Sequence, residues 1–255
     1  MGRLDNKVAL VTGGAGGIGS TTAELFVKEG ASVMLADVDE EALKEISEKI
    51  GEPDRVNYIT CDVSSLEDNR KAVQKTVEAF GGLDILLANA GIEGEVKSIV
   101  DYPADTFDKV IDINVKGPFY AIKSAFPEIE KRNGGSIIIT SSVAGLMGTG
   151  NMSAYTTSKH AVIGLMREAA KEGAPKNIRV NTVNPAPVDN RMMRSLESGF
   201  SPDNADQAKE QFESMIPLKR YADNQDVANM MLFLASDESS YVTGTINPVD
   251  GGMTS

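Results

Sequence analysis

Apolar and polar positions alternate between two patterns along the chain, short apolar runs and longer stretches with a helical stripe. Lys7–Thr12 (KVALVT), Ala31–Asp37 (ASVMLAD), Val56–Val63, Leu83–Ala90 (LDILLANA), Ser136–Ser142 (SIIITSS), Ile178–Val183 and Thr245–Val249 read as strands. Leu83–Ala90 is nearly all apolar, as expected of a strand buried on both faces. Helices are predicted over Ser20–Glu29, Glu40–Ile50, Leu66–Phe80, Thr106–Ile129, Ser153–Glu172 and Asp226–Ala235. In the fourth of these, apolar residues fall at 107, 110, 111, 115, 119, 122 and 126, a helical period. In the fifth, Ala161, Val162, Leu165, Met166 and Ala169 share one stripe. Strands alternating with helices predict an α/β fold, a doubly wound parallel sheet with helices on both faces. No repeat or low-complexity linker interrupts it, so residues 1–255 are expected to form a single domain.

Residues 187–220 break the rhythm. The stretch is long and acidic, holds Met and Phe, and shows no clear period. Loops of this length in compact domains are more often functional than idle. It follows the sixth strand, near the carboxyl edge where doubly wound sheets bind ligands. It is expected to be a substrate lid.

Composition narrows the function classes. Hydrophobic residues make up 41% of the 255, enough for a core, and no apolar run reaches the roughly 18 residues of a membrane span. Met1–Asn6 runs into a strand with no signal-peptide core, so a cytoplasmic protein with no membrane partner is expected. Cys61 and His160 are the only residues of their kinds, which excludes an intrachain disulfide and the common zinc sites; no metal is expected. The formal charge of −12, from 37 acids and 25 bases, disfavours nucleic acid as a partner.

Thr12-Gly13-Gly14-Ala15-Gly16-Gly17-Ile18-Gly19 lies between a predicted strand and a predicted helix, the context that gives a glycine-rich phosphate loop its meaning. Gly13, Gly17 and Gly19 allow the tight turn and let backbone N–H groups approach a pyrophosphate, at the positive end of a helix. The fold is therefore read as Rossmann-type. Asp37, twenty residues after Gly17, ends the second strand, where a carboxylate can bind the ribose hydroxyls of NAD and repel a 2′-phosphate. Gly13–Ser20 and Ala36–Asp39 contain no Arg or Lys, so NAD is expected in preference to NADP. Asp62 and Val63 end the third strand, placed to face an adenine. Asn89, Ala90 and Gly91 end the fourth, placed to line the cofactor cleft.

Tyr155 and Lys159, four residues apart in a predicted helix, project from one face, and Ser142 lies thirteen residues upstream. A general acid and a nicotinamide site on one chain point to hydride transfer to a carbonyl. A free tyrosine pKa of about 10 is too high for a base near neutrality; bringing it to about 7 takes roughly 4 kcal/mol. A cation about 4 Å away supplies that at an effective dielectric near 20; Lys159 is one such cation, and the oxidised nicotinamide ring would be another.

Taken together, the Thr12–Gly19 loop, Asn89-Ala90-Gly91, Asn114, Ser142, Tyr155-x-x-x-Lys159, Asn184-Pro185 and Val249-Asp250-Gly251-Gly252 resemble the single-domain short-chain dehydrogenase/reductases. Order and spacing match over essentially the whole chain. The resemblance implies Tyr155 as general acid/base, Ser142 as hydrogen-bond partner of the substrate oxygen, and Lys159 as holder of the nicotinamide ribose that lowers the tyrosine pKa. It implies Asn114 as the residue that positions a water between Lys159 and solvent. The family's Pro-Gly-x-Val-x-Thr reads here Pro185-Ala186-Pro187-Val188-Asp189-Asn190, so Pro185, Val188 and Asn190 are the expected contacts to the nicotinamide side. The resemblance also implies a homotetramer built on the helices over 106–129 and 153–172.

For the substrate, Glu93 and Glu95, Val143, Met147 and Met152, and Met192, Met193, Leu196 and Phe200 are candidate pocket positions. Flexible methionines suit an adaptable apolar pocket. A hydrophobic or cyclic secondary alcohol or ketone is expected, with the glutamates leaving room for a cationic or hydroxylated one. The competing readings are a 3-oxoacyl-thioester reductase and, from another class, a non-catalytic NAD-binding sensor. The sensor is expected to lose part of the catalytic quartet, and here all four positions are filled.

Overall fold

The computed structural model describes residues 2–255. Seven parallel strands form one sheet in the order β3-β2-β1-β4-β5-β6-β7. They are β1 (Val8–Thr12), β2 (Ser32–Asp37), β3 (Val56–Thr60), β4 (Ile85–Ala88), β5 (Gly135–Thr140), β6 (Ile178–Pro185) and β7 (Ile246–Val249). The chain winds outward from β1 to β3, crosses back to β4 and winds the other way, so the expected doubly wound architecture is observed. The reversal leaves a crevice between the carboxyl ends of β1 and β4.

Alternation along each strand divides the core. Leu10, Met34, Leu86, Ile137 and Val180 point to one face, against α3 (Leu66–Phe80), α5 (Gly117–Lys131) and α6 (Ser153–Gly173). Ala9, Val11, Val33, Leu35, Ile85, Leu87 and Ile138 point to the other, against α1 (Gly17–Lys28), α2 (Glu40–Ile50) and α9 (Asn224–Ala235). Period-two side chains filling both faces explain why these runs are apolar throughout. Asp39 caps α2 by accepting the Ala42 N–H, and Ser65 caps α3 by accepting that of Asp68.

Two stretches depart from the sequence reading. The single helix expected over Thr106–Ile129 is α4 (Ala104–Ile111), a π-turn at Asp112–Lys116, and α5. Pro118 has no N–H for the Asn114 carbonyl, so the α-helical ladder breaks there and Gly117 N–H reaches back five residues to Asp112. The stretch 187–220, expected to be aperiodic, holds α7 (Arg191–Phe200) and α8 (Ala205–Met215). The Asn190 carboxamide oxygen accepts N–H groups of Met192 and Met193, Asn204 accepts that of Gln207, and Phe200 meets Phe212 edge-on at 5.4 Å. The capping residues Asn190 and Asn204 were the signal to read. The stem of the excursion is pinned at both ends: Ala222 N–H donates to the Pro187 carbonyl and Asp189 N–H to that of Ala222.

Candidate active site

The carboxyl ends of β1, β4, β5 and β6 carry the residues that the sequence singles out. Thr12 Oγ1 accepts the Asn89 N–H at 3.0 Å, and the Asn89 amide donates to the carbonyls of Thr12 and Gly13 at 3.2 and 3.3 Å. Thr140 Oγ1 donates to Asn89 Oδ1 at 3.0 Å, and Lys159 Nζ donates to the Thr140 carbonyl at 2.9 Å. A continuous polar chain therefore runs from the glycine loop to Lys159. Thr140 was not foreseen as part of it.

The loop residues fit a dinucleotide. Gly13 has φ +66°, and a Cβ there would lie 2.8 Å from Ala90 Cα; at Gly19 a Cβ would collide with the Gly13 carbonyl. The first α1 backbone bond runs from Ser20 N–H to Gly16 at 2.8 Å, so the N–H groups of Gly17, Ile18 and Gly19 point into the crevice without helical partners. Ile18 packs its side chain on the core behind. Asp37 is fixed by N–H donors of Ala15 (3.1 Å), Val38 (2.8 Å) and Asp39 (3.4 Å). Beside it, burial pushes the Cys61 thiol up to about 12, and the charges of Asp68, Asp62 and Asp37 push the same way. That end of the crevice carries a negative field. Asp62 is exposed and binds the Ser64 N–H and hydroxyl, while Val63 is buried against Gly117.

Tyr155, Lys159, Ser142 and Asn114 converge from three elements, and each is at least nine-tenths buried. Lys159 Nζ stands 5.4 Å from the Tyr155 ring centroid. Ser142 Oγ accepts the Ala144 N–H at 3.1 Å and donates to the Pro185 carbonyl at 3.5 Å, with Tyr155 beside it; the Asn184 amide holds the Ser142 carbonyl at 3.0 Å. Asn114 clamps Ile92 on both sides, accepting its N–H at 2.8 Å and donating to its carbonyl at 2.9 Å, and also donates to the Ser158 hydroxyl at 3.0 Å. Asn114 lies within the π-turn. A Cβ on Gly91 would lie 3.2 Å from Asn114 Oδ1 and 3.5 Å from Lys159 Nζ, so Gly91 leaves the gap between them open.

Burial displaces both titratable groups of the pair. Burial raises the Tyr155 pKa to about 12; the Ser142 hydrogen bond opposes this and the Glu93 charge adds to it. Burial lowers Lys159 to about 8. In the protein alone Tyr155 is therefore a phenol.

The pocket residues separate. Ala144, Met152, Tyr155, Met193, Leu196, Ile216 and Tyr221 form one buried apolar cluster, with Val96, Met192, Phe200, Phe212 and Met253 against it. Val143 is buried beside it in a short turn after Ser142. Ile216, Tyr221 and Met253 come from remote segments and carried no sequence signal. Met147 is 40% exposed and outside the cluster, and Glu95 is held by Lys97 at 2.7 Å and Thr106 at 3.0 Å. Val188 packs its side chain into the core beneath the glycine loop, and Pro185 is buried at the end of β6. Asn190 spends its oxygen on the α7 cap, which leaves only its nitrogen for a ligand.

Among the described residues no group of His, Cys, Asp and Glu could hold a metal, and no helix is long and apolar enough to cross a membrane.

A family model described as Enoyl-(Acyl carrier protein) reductase matches residues 13–254. The chain is 39% identical over 252 residues to 3-oxoacyl-[acyl-carrier-protein] reductase of Thermotoga maritima, covering 98% of this chain and 99% of that one. It is 41% identical to (+)-borneol dehydrogenase 2 of Salvia officinalis, covering 99% and 91%. The crystal structure of levodione reductase superposes with a TM-score of 0.95 at 35% identity, covering 98% of both chains. That of NAD+-bound xylitol dehydrogenase superposes with a TM-score of 0.93 at 35% identity, covering 98% and 99%. With this fold and near full-length identity, the chain belongs to the short-chain dehydrogenase/reductase family of oxidoreductases.

Proposed function

We propose that the protein interconverts a hydrophobic or cyclic secondary alcohol and its ketone, with NAD(H) as cofactor and Tyr155 as general acid/base. The observation that carries this is the meeting of Tyr155 with an apolar wall of Met152, Met193, Leu196 and Tyr221. A ketone seated there places its oxygen against Tyr155 and Ser142 and its body against methionine and aromatic surface. Kept as a phenol by burial, Tyr155 donates its proton to the substrate oxygen as negative charge develops there. Ser142 donates a second hydrogen bond to that oxygen. Lys159, anchored to Thr140, holds positive charge behind the phenol. Bound NAD would supply the hydride acceptor for alcohol oxidation, and its positive ring would favour the phenolate needed in that direction.

The preference for NAD over NADP rests on Asp37 and on the negative field felt by Cys61. A 2′-phosphate would meet Asp37 with no Arg or Lys in Gly13–Ser20 or Ala36–Asp39 to neutralise it. In this reading 187–220 closes over the pocket as a lid, and the working protein is a cytoplasmic homotetramer.

The test is nicotinamide absorbance with NADH or NADPH and a panel of apolar, cyclic, amine-bearing and acyl-thioester ketones. Oxidation of NADH but not NADPH by cyclic or apolar ketones is the expected result. A preference for NADPH with acyl thioesters would replace this reading with that of the Thermotoga relative's name. Tight NADH binding with no turnover by any ketone would favour the sensor.

A further inference from the structure

Glu197 is an unusual residue for its place. It lies on α7 in the pocket cover, where Met193 and Leu196 face Tyr155, yet its carboxylate side chain is only 3% exposed. Burying a carboxylate is costly unless every oxygen is engaged, and an apolar side chain of similar size would bury without that cost. Here both oxygens are engaged. Oε1 accepts the Tyr221 hydroxyl at 2.8 Å, and Oε2 pairs with Arg194 at 3.0 Å. The other arm of Arg194 reaches Asp189 on the stem at 3.0 Å, and its guanidinium lies 5.7 Å from the Tyr221 ring centroid, with Lys209 of α8 at 5.6 Å. Tyr221 precedes Ala222, the residue that closes the stem, and its ring is 4% exposed inside the substrate cluster.

These contacts do two things together. The ring of Tyr221 forms part of the pocket wall, and its hydroxyl ties that wall to the helix carrying Met193 and Leu196. Apolar packing alone lets methionine-lined helices slide, whereas a buried directional bond accepts one register. We propose that the Tyr221–Glu197 hydrogen bond, supported by Arg194, is the positioning element that sets how closely α7 approaches Tyr155 and so which ketone sizes the pocket accepts. Tyr221 and Glu197 are positioning residues; neither touches the reacting atoms in this scheme. The inference rests on the reading of Tyr155 and the apolar pocket given above.

The decisive variant is Tyr221→Phe, which keeps the ring and removes the bond. Expected is a rise in KM for the best cyclic ketone of about tenfold, the size of a lost hydrogen bond to a charged group, with kcat within about threefold. The preference between a small and a bulky ketone collapses by a similar factor, and NADH affinity is unchanged. Glu197→Gln keeps an acceptor for Tyr221 and restores most of the preference, while Glu197→Leu reproduces Tyr221→Phe and adds nothing to it in the double variant. An unchanged KM and size preference in Tyr221→Phe overturns the proposal, as does an equal loss of kcat for every ketone.

A second readout is independent of the substrate. Trypsin cleavage after Arg191 and Lys209 is expected to quicken about tenfold in Tyr221→Phe below the unfolding transition, matching the loss of one charged hydrogen bond from the closed form. An unchanged rate overturns the proposal. If the wild type reduces no ketone at all, the functional reading fails and this cleavage rate alone decides the role of Tyr221.

Discussion

Asn114 grips the backbone of Ile92 from both sides, taking its N–H at 2.8 Å and giving back to its carbonyl at 2.9 Å. One carboxamide, set within the π-turn, thus fixes the loop that carries Glu93 past Tyr155. The water-positioning role implied by family resemblance therefore comes with a structural one that can be measured separately. Asn114→Ala leaves both Ile92 groups and the Ser158 hydroxyl without this partner. The expected loss is about 2 kcal/mol of stability, read by urea unfolding, with a fall in turnover. A variant of unchanged stability would show that the clamp does not hold the loop.

Tyr155→Phe removes the proton donor and little else, since the ring keeps its place in the apolar cluster. Turnover should fall by at least about a hundredfold, the usual contribution of a placed acid or base. NADH affinity, measured by fluorescence titration, should stay within a few-fold. Turnover near that of the wild type would end the assignment of Tyr155.

The charge of Glu93 is one of the causes that raise the Tyr155 pKa. Glu93→Gln deletes that charge and favours the phenolate. The pH at which alcohol oxidation reaches half its maximum should therefore move downward, because oxidation needs the deprotonated tyrosine. A pH–rate profile of kcat/KM decides it; no movement, or movement upward, removes Glu93 from the field at the reacting oxygen.

Lys159 makes an unusual stability prediction. Burial lowers its pKa from a lysine's 10.5 to about 8, so between those values the unfolded chain holds more protons at this site than the folded one. Raising the pH through that window then favours folding, by up to about 3 kcal/mol at about 1.36 kcal/mol per pH unit. The stability of the wild type relative to Lys159→Met should rise from pH 8 toward pH 10.5 in denaturant titrations. A difference that is flat or falls with pH would mean the ammonium is not desolvated.

What the sequence revealed and what it hid follow from range. The glycine loop, Asp37 and the Tyr155–Lys159 pair are legible because each function sits within one turn, one strand end or one helix face. The sheet is legible because both its faces are covered, which leaves runs such as Ile85–Ala88 apolar at every position. The pocket wall is assembled differently: Met152, Met193 and Leu196 are candidates by their place in the sequence, but Val96, Ile216, Tyr221 and Met253 join them only after the sheet has formed. Nothing about Tyr221 or Glu197 in isolation distinguishes them from surface residues. The burial that holds Tyr155 as a phenol in the protein alone is hidden for a related reason: desolvation depends on what packs around a group, and a sequence does not show that.

The stem formed by Pro187, Asp189 and Ala222 gives the molecule a modular seam. Both ends of the excursion leave the body at one point, so residues 190–221 can be exchanged as a cassette without rethreading any strand. The polar chain from Thr12 to Lys159 lies wholly outside it. The pocket's cover and the hydride chemistry are in this sense separately editable, and a chimera taking this cassette from a relative should shift toward the donor's substrate preference while retaining the parent's cofactor.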